Sequence, residues 1–302
     1  TADQGLLTES DIIVGATATG LELVDIAFFT RFPLDHQINP ALSRNVYEEM
    51  RATLGERPGG PAYVTGTGAF DEITITSTGF GAAQVTVEAH NDATFANLID
   101  SITYDIDASN GILIEGGREI DRIIVDPRLS NLVRIRGGQG ADELVIRGQP
   151  QNLIDASFTP ATNYAFVPGY ESVNPITGIQ NAVVSFSGEV VAGPTTVRFT
   201  EFDDGGSVLF ENLASAGLRG SAGFDTFTIS TVTAGTNQVN GTVSGVAFPN
   251  MRYTNVRSVV VDTGATAVTD AVTVGSLAAS GLAQLTVSTG PGNDFINLTT
   301  GN

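Results

Sequence analysis

A ten-residue pattern sets the architecture of this chain. Its clearest copy reads Gly137-Gly138-Gln139-Gly140-Ala141-Asp142-Glu143-Leu144-Val145-Ile146. The glycines suit a tight turn because they adopt backbone conformations that other residues avoid. The aspartate closes the turn, and apolar residues at alternate positions then start a β-strand. The pattern therefore predicts a turn followed by a strand that buries one of its two faces.

The same order of glycine, aspartate and alternating strand recurs along the chain. The other copies carry Asp71, Asp121, Asp225, Asp270 and Asp294. Successive aspartates are separated by 50, 21, 83, 45 and 24 residues. These intervals are near multiples of about 21–25, so we expect copies that lack the aspartate to fill the longer ones. A period in this range, made of short strands and turns, is typical of solenoids.

The repeats predict a mainly β fold in which residues 59–302 form a parallel β-helix, or β-solenoid, of degenerate repeats. Regular short strands also suit repeated β-sandwiches, and this alternative stays open at the level of sequence. Residues 149–175 hold several prolines and little alternation, so we expect a loop that leaves the repeat there. Residues 235–248 are expected to form a second such excursion.

Residues 1–58 have a different character. Asn39 can cap a helix and Pro40 suits the first helical position. Leu42, Val46, Met50 and Leu54 then recur every four residues on one helical face. The sequence therefore predicts an N-terminal cap or assembly region, residues 1–58, that contains one helix.

Charge and composition exclude several classes of function. The 302 residues carry 33 acidic and 14 basic side chains, a net charge of −19, and no cysteine. So negative a field argues against nucleic-acid binding by phosphate neutralisation. No continuous apolar run reaches the ~20 residues of a membrane-spanning helix, so membrane insertion is not expected. The lack of cysteine removes disulfides and cysteine-ligated zinc. The abundance of Gly, Thr, Ser and Asn favours an extracellular protein of the bacterial cell surface.

The copy that ends in Leu144 fits the pattern Gly-Gly-x-Gly-x-Asp-x-Leu. In this it resembles the RTX (haemolysin-type) calcium-binding repeats, and residues 290–295 are a degenerate version. The resemblance implies Ca²⁺ ligated by aspartates and backbone carbonyls between successive turns. RTX repeats follow one another every nine residues, whereas no two copies here are nine apart. Overall the chain is more similar to the degenerate repeats of large bacterial β-solenoid surface proteins, adhesin-like or surface-layer-like.

The aspartates are the candidate metal ligands. Asp121 and Asp142 are 21 residues apart and would stack in neighbouring rungs, about 4.8 Å apart. Carboxylates at that distance repel, which favours a bridging cation such as Ca²⁺ or a raised pKa in one of them. The alternative is that each aspartate accepts hydrogen bonds from its own turn. The full candidate set is Asp71, Asp121, Asp142, Asp225, Asp270 and Asp294.

These features favour an extracellular structural, self-assembling or adhesive protein, stabilised by calcium and without catalytic activity. Its expected partners are further copies joined head to tail, because nothing after Leu298 resembles a cap for the last rung. Cell-surface polysaccharide is a further expected partner. The alternative is a β-helix polysaccharide lyase or hydrolase. Asp203-Asp204-Gly205 resembles the paired acids of polygalacturonase-like enzymes, but their Gly-His-Gly motif is missing.

Overall fold

A computed structural model describes residues 62–149, 154–160, 186–202, 205–277 and 281–299. The predicted helix, the N-terminal region 1–58 and the pair Asp203-Asp204 lie outside the described residues. Inside them the chain forms β-strands and no α-helix, so the predicted mainly β fold is confirmed for this part of the chain. No helix long and apolar enough to cross a membrane occurs in the same residues.

The described residues form 21 strands. The first eight are β1 (Ala62–Thr65), β2 (Phe70–Gly79), β3 (Ala82–His90), β4 (Leu98–Asp107), β5 (Ile112–Gly117), β6 (Arg122–Val125), β7 (Leu132–Gly138) and β8 (Glu143–Arg147). The next seven are β9 (Asp155–Pro160), β10 (Phe186–Ala192), β11 (Thr195–Phe202), β12 (Ser207–Glu211), β13 (Ser215–Arg219), β14 (Thr226–Thr233) and β15 (Thr236–Val243). The last six are β16 (Val246–Ala247), β17 (Asn250–Thr254), β18 (Ser258–Asp262), β19 (Ala271–Val274), β20 (Gln284–Ser288) and β21 (Phe295–Leu298).

The strands belong to two large sheets. Sheet A has the order β1-β5-β7-β11-β10-β9-β13-β18-β20. Sheet B has the order β21-β19-β14-β15-β17-β12-β8-β6-β2-β3-β4, with β16 paired to β15. Strands that follow one another in sequence mostly alternate between the sheets. Twelve of the pairings are parallel and seven are antiparallel.

The antiparallel pairings explain the uneven spacing of the aspartates. Strands β3 and β4 follow β2 as a meander, and they occupy the 50-residue interval between Asp71 and Asp121. Strands β9 and β10 are inserted next to β11, and β15 lies between β14 and β17. Our expectation that further copies fill these intervals is therefore wrong for β3–β4 and for β15–β16. It holds in part between Asp142 and Asp225, where β11 and β12 pair parallel to β7 and β8.

Two expected loops contain strands instead. Strand β9 lies within residues 149–175, and β15 and β16 lie within residues 235–248. Both β9 and β15 bury alternate side chains, including Phe158 and Val239. The apolar residues of these strands are few and lie among polar ones. The alternation of apolar and polar residues therefore spans too few positions to be detected in the sequence alone.

One hydrophobic core lies between the sheets. Alternate residues of sheet B face it, among them Ile73, Ile75, Ile123, Val125, Leu144, Ile146, Phe227, Ile229, Val272 and Val274. Sheet A adds residues such as Val133 and Ile135. Phe199 packs against Phe158 and Phe202, with ring centroids 5.9 and 4.7 Å apart, beside the inserted strands β9 and β10. Large aromatic rings thus fill the core where the parallel arrangement is interrupted.

Asparagines mark the turns that lead from sheet B to sheet A. Asn212 and Asn255 adopt positive φ values of 55° and 54°, which Asn tolerates better than most residues. The Nδ2 of Asn255 donates to the Oδ1 of Asn212 at 2.7 Å, and the Nδ2 of Asn131 donates to the carbonyl of Ala108 at 2.6 Å. Equivalent turns therefore lie directly against one another.

Candidate functional site

The six aspartates of the repeat lie where the chain passes from sheet A to sheet B. Each precedes a strand of sheet B, or is the second residue of β2 in the case of Asp71. Five of them are buried, and Asp294, beside the edge strand β21, is partly exposed. Burying five carboxyl groups needs compensating hydrogen bonds, and the turns provide them.

Three of these residues form the first aspartate ladder, Asp71–Asp121–Asp142. The backbone N–H of Asp71 donates to the Oδ1 of Asp121 at 2.9 Å. The backbone N–H of Asp121 donates in the same way to the Oδ1 of Asp142, also at 2.9 Å. The predicted stacking of Asp121 on Asp142 is therefore confirmed. That Asp71 is the next member, 50 residues away, could not be read from the sequence because β3 and β4 intervene.

The second aspartate ladder, Asp225–Asp270–Asp294, repeats this arrangement. Its backbone N–H to Oδ1 distances are 2.8 Å from Asp225 to Asp270 and 2.9 Å from Asp270 to Asp294. The structure thus divides the predicted residues into two sets of three. Between them lie β12, β17 and β15 of sheet B, and Gly206 stands at the ladder position that precedes β12.

Hydroxyl residues bind the second carboxylate oxygen at several positions, a feature that the sequence analysis missed. Thr67 donates its backbone N–H to the Oδ2 of Asp71 at 2.6 Å, and Ser221 does the same for Asp225 at 2.8 Å. Both residues stand four positions before their aspartate. The Oγ1 of Thr263 donates to the Oδ2 of Asp270 at 2.6 Å. The hydroxyl groups of Thr67 and Ser221 also donate to the same carboxylates, so a Thr or Ser four positions before the aspartate is the sequence signal for these bonds.

Asp121 differs from these residues. Its Oδ2 is buried and has no hydrogen-bond partner among the described residues. Four positions before it stands Gly117, which pairs with Gly138 in sheet A rather than capping the carboxylate. A buried oxygen of this kind is costly unless a proton or a cation accompanies it.

Glycines let the ladder approach the ends of the sheet A strands. A Cβ on Gly116 would lie 2.6 Å from the Oδ2 of Asp121 and 2.4 Å from the carbonyl oxygen of Gly137. A Cβ on Gly137 would lie 2.2 Å from the Oδ2 of Asp142. Real Cβ atoms do not approach other atoms so closely, so these positions require glycine for space. The glycine five residues before each aspartate of the first ladder is thus explained by contact with the carboxylate itself.

Burial changes the proton affinity of the first ladder. Desolvation raises the pKa of Asp71 from 3.8 to about 7, against the opposing hydrogen bonds from Thr67. The pKa of Asp121 is raised well above its usual value, first by burial and then by the charges of Asp71, Asp142 and Glu119. Ionising all of these neighbouring carboxyl groups would cost free energy, because they repel one another and are shielded from water.

Arginines connect acidic side chains on other strands. Arg122 of β6 donates to Glu72 of β2 at 3.1 Å and to Glu143 of β8 at 2.8 Å. Arg136 of β7 donates to Glu115 and to Glu201 at 3.3 and 2.8 Å. Both arginines therefore balance the charges of acidic neighbours. Each arginine ties together three adjacent strands.

No group of three or more acidic or histidine side chains in the described ranges is arranged to hold a metal ion on its own. In the ladders, four of the six carboxylates (Asp121, Asp142, Asp270 and Asp294) instead use their Oδ1 to accept the backbone N–H of the preceding aspartate in the ladder. Comparison of the chain with protein-family models, with curated proteins and with solved structures returns no match.

Proposed function

We propose that this chain is a non-enzymatic structural module of a bacterial cell surface, built as a β-solenoid that associates with further copies of itself. The observation that carries the proposal is the pair of aspartate ladders. In each ladder the same backbone-to-carboxylate hydrogen bond is repeated from strand to strand. Such repetition strengthens a long stack of strands, because each bond joins one strand to the next.

The parallel pairings support the solenoid rather than the sandwich. Strands β5 and β7 pair in register, and so do β6 and β8, each pair about one repeat apart in sequence. Strands β18 and β20 pair in the same way, as do β19 and β21. A sandwich of antiparallel hairpins would not bring the same turn of successive repeats together. The inserted antiparallel strands then interrupt a solenoid instead of defining a different fold.

The ion pairs weigh against the polysaccharide-enzyme alternative. A glycosidase needs one carboxylate free to act as an acid and another free to act as a base or nucleophile. Glu72 and Glu143 are both bound to Arg122, and Glu115 and Glu201 are both bound to Arg136. These acids therefore hold the strands together, and adhesion to polysaccharide would use other parts of the surface.

Self-association is the first test of the proposal. Within the described ranges sheet A ends in β1 and β20 and sheet B ends in β4 and β21, and the edge of a sheet can offer backbone groups to another strand. We expect the mass measured by light scattering to rise continuously with protein concentration, because a head-to-tail contact does not close into a dimer. Electron microscopy should then show filaments or layers. A constant monomer mass up to high concentration, with and without calcium, would contradict the assembly.

Calcium binding is a second candidate function, and the Oδ2 of Asp121, unpartnered among the described residues, favours it. This oxygen and the carbonyl oxygen of Gly137 crowd the same side of Gly116, and Ca²⁺ binds oxygens of both kinds. If Asp121 helps to hold the ion, its charge would be neutralised at neutral pH. The site then fits the ion by donor type, and the remaining ligands would come from turn carbonyls or water.

Calcium binding predicts that millimolar Ca²⁺ raises the melting temperature relative to excess chelator. A ligand present at 100 times its Kd stabilises the folded state by about 2.7 kcal/mol. Asp121→Asn should abolish the effect, whereas Asp105→Asn, which removes the same charge from the exposed side of β4, should retain it. An equal melting temperature in calcium and in chelator would show that the ladder holds no such ion.

A further inference from the structure

Arginines on the strands of both sheets mostly lie opposite acidic residues, and Arg134 departs from this pattern. Five of the seven arginines on the described strands are directly paired with an acid of an adjacent strand. The five pairs are Arg122 with Glu143, Arg136 with Glu115, Arg147 with Glu211, Arg198 with Glu189, and Arg219 with Asp262. Arg252 pairs with Leu209 and Gln238, and its Nη1 lies 4.0 Å from the Oε1 of Glu143. Arg134 pairs with Leu113 on one side and with a second arginine, Arg198, on the other.

Arg134 of β7 and Arg198 of β11 lie side by side on the outer face of sheet A. Their neighbours in sequence, Val133 and Phe199 among them, are buried in the core, so the two arginines point the opposite way. Directly paired residues of adjacent strands are about 4.8 Å apart at the backbone. Both side chains are exposed, that of Arg198 to 59%. Like charges placed directly opposite each other destabilise a sheet.

The two arginines have one acidic partner between them. The Nε of Arg198 donates to the Oε2 of Glu189 at 2.7 Å. No hydrogen bond or ion pair joins Arg134 to another of the residues that the structure describes. The whole chain has 33 acidic side chains against 14 basic ones. An anion bound from outside would offset the repulsion between the two guanidinium groups.

The surroundings of the arginine pair indicate the kind of anion. A guanidinium group presents its N–H donors in one plane, which fits the two oxygens of a carboxylate. Apolar and hydroxyl side chains border the pair on the same face. They are Leu113, Leu132, Val191, which is 40% exposed, and Thr196. A sugar ring that carries a carboxylate offers an apolar C–H face and hydroxyl groups as well as the charge, so it fits this mixture of side chains.

We propose that Arg134 and Arg198 form a binding site for the carboxylate groups of an acidic polysaccharide, a polymer of uronic acids. The carboxylate accepts N–H donors of Arg134 and those of Arg198 that Glu189 does not use. This inference rests on the proposed function at a cell surface, and it names a polymer and the face of sheet A that binds it. The site lies in the middle of sheet A, four strands from β20 and two from β1.

The net charge of −19 opposes the approach of an acidic polymer. Salt limits this effect, because charges are screened beyond about 8 Å at an ionic strength of about 0.15 M. Close to the site, Glu189 and Glu115 are each bound to an arginine. Binding at this ionic strength therefore depends on the arginine pair more than on the charge of the whole chain.

Calorimetric titration with alginate, a polymer of uronic acids, tests the site at that ionic strength. A chelator is present throughout, so that Ca²⁺ cannot bridge the polymer to acidic side chains. The parent chain should bind alginate, and Arg134→Gln should weaken the binding about tenfold because it removes hydrogen bonds between charged groups. Arg219→Gln removes the same charge from a position opposite Asp262 and should bind as the parent does. Dextran, which has no charge, should bind to none of these chains.

Arg134→Glu separates binding from stability. This change places an acid opposite Arg198, so a repulsive pair becomes an attractive one. We expect the variant to lose alginate binding and to melt at least as high as the parent chain. A lower melting temperature would show that Arg134 stabilises the fold itself, and it would contradict the binding site.

The remaining outcomes are equally decisive. Equal affinity of the parent chain and Arg134→Gln for alginate would overturn the site, and so would tighter binding of dextran sulfate than of alginate. Failure of the parent chain to bind alginate would overturn it as well. Light scattering on the same chains tests the proposed self-association separately. A parent chain that associates without binding alginate contradicts this inference alone, whereas one that binds alginate as a monomer contradicts the assembly alone.

Discussion

Gly116→Ala is expected to lower the free energy of unfolding by about 3 kcal/mol, at the upper end of the usual cost of overpacking a core. The added Cβ would lie 2.4 Å from the carbonyl oxygen of Gly137 and 2.6 Å from the Oδ2 of Asp121. Neither atom is the end of a flexible side chain, since one belongs to the backbone and the other to a buried, hydrogen-bonded carboxyl group. With an unfolding entropy of about 2.1 cal/mol/K per residue, the melting temperature of this 302-residue chain should fall by about 5 °C.

The effect would come from contact and not from backbone conformation, because Gly116 lies outside the left-handed region of φ. Gly79 provides the matched control. It is also a strand residue outside that region, and a Cβ there would meet nothing within 4 Å. Gly79→Ala should change the stability by less than about 0.5 kcal/mol. If Gly116→Ala melts at the same temperature as Gly79→Ala, the close packing of the ladder against this glycine is wrong.

Much of the local structure could be predicted from the sequence. The alternation in Ile73–Ile75, Ile123–Val125 and Leu144–Ile146 gives the strands and their buried faces. Asp121 and Asp142 were correctly paired because only one repeat separates them. These features depend on residues close together in the chain. Over such short distances the alternation of apolar and polar side chains and the residue types of the turns predict the structure directly.

The order of strands in the sheets could not be predicted in the same way. The hydrogen bond from Asp71 to Asp121 closes over β3 and β4, whose sequence has ordinary strand alternation and no sign of antiparallel pairing. The insertion of β9 and β15 cannot be detected in the sequence either, because the direction and the partner of a strand are set by tertiary packing. The division of six similar aspartates into two ladders follows from these insertions, so the sequence could not show it.

The first aspartate ladder is expected to make the protein less stable at pH 8 than at pH 5 in the presence of a chelator. The pKa of Asp71 is about 7 in the folded state against 3.8 when unperturbed. The folded state therefore holds a proton that the unfolded state releases, and stability falls as the pH rises from about 4 to about 7. At about 1.36 kcal/mol per pKa unit, the roughly two units between pH 5 and this folded-state pKa correspond to about 3 kcal/mol for Asp71 alone.

Asp121 adds to this dependence, because burial and the charges of Asp71, Asp142 and Glu119 raise its pKa well above the usual value. Asp121→Asn keeps the Oδ1 that accepts the N–H of Asp71 and removes the buried charge. The variant should melt higher than the parent chain at pH 8 and should show a smaller difference between pH 5 and pH 8. Asp105→Asn removes an exposed charge and should keep the parent's full pH dependence.

Thermal melts followed by circular dichroism at pH 5, 6, 7 and 8 would measure both variants under the same conditions. The sign of the Asp121→Asn effect separates the two states of the ladder. Stabilisation at pH 8 in chelator means that the buried carboxylate is destabilising when it is charged and alone. Destabilisation by the same change would mean that the charge is compensated in the folded chain, and a stability that rises from pH 5 to pH 8 would contradict the raised pKa of both aspartates.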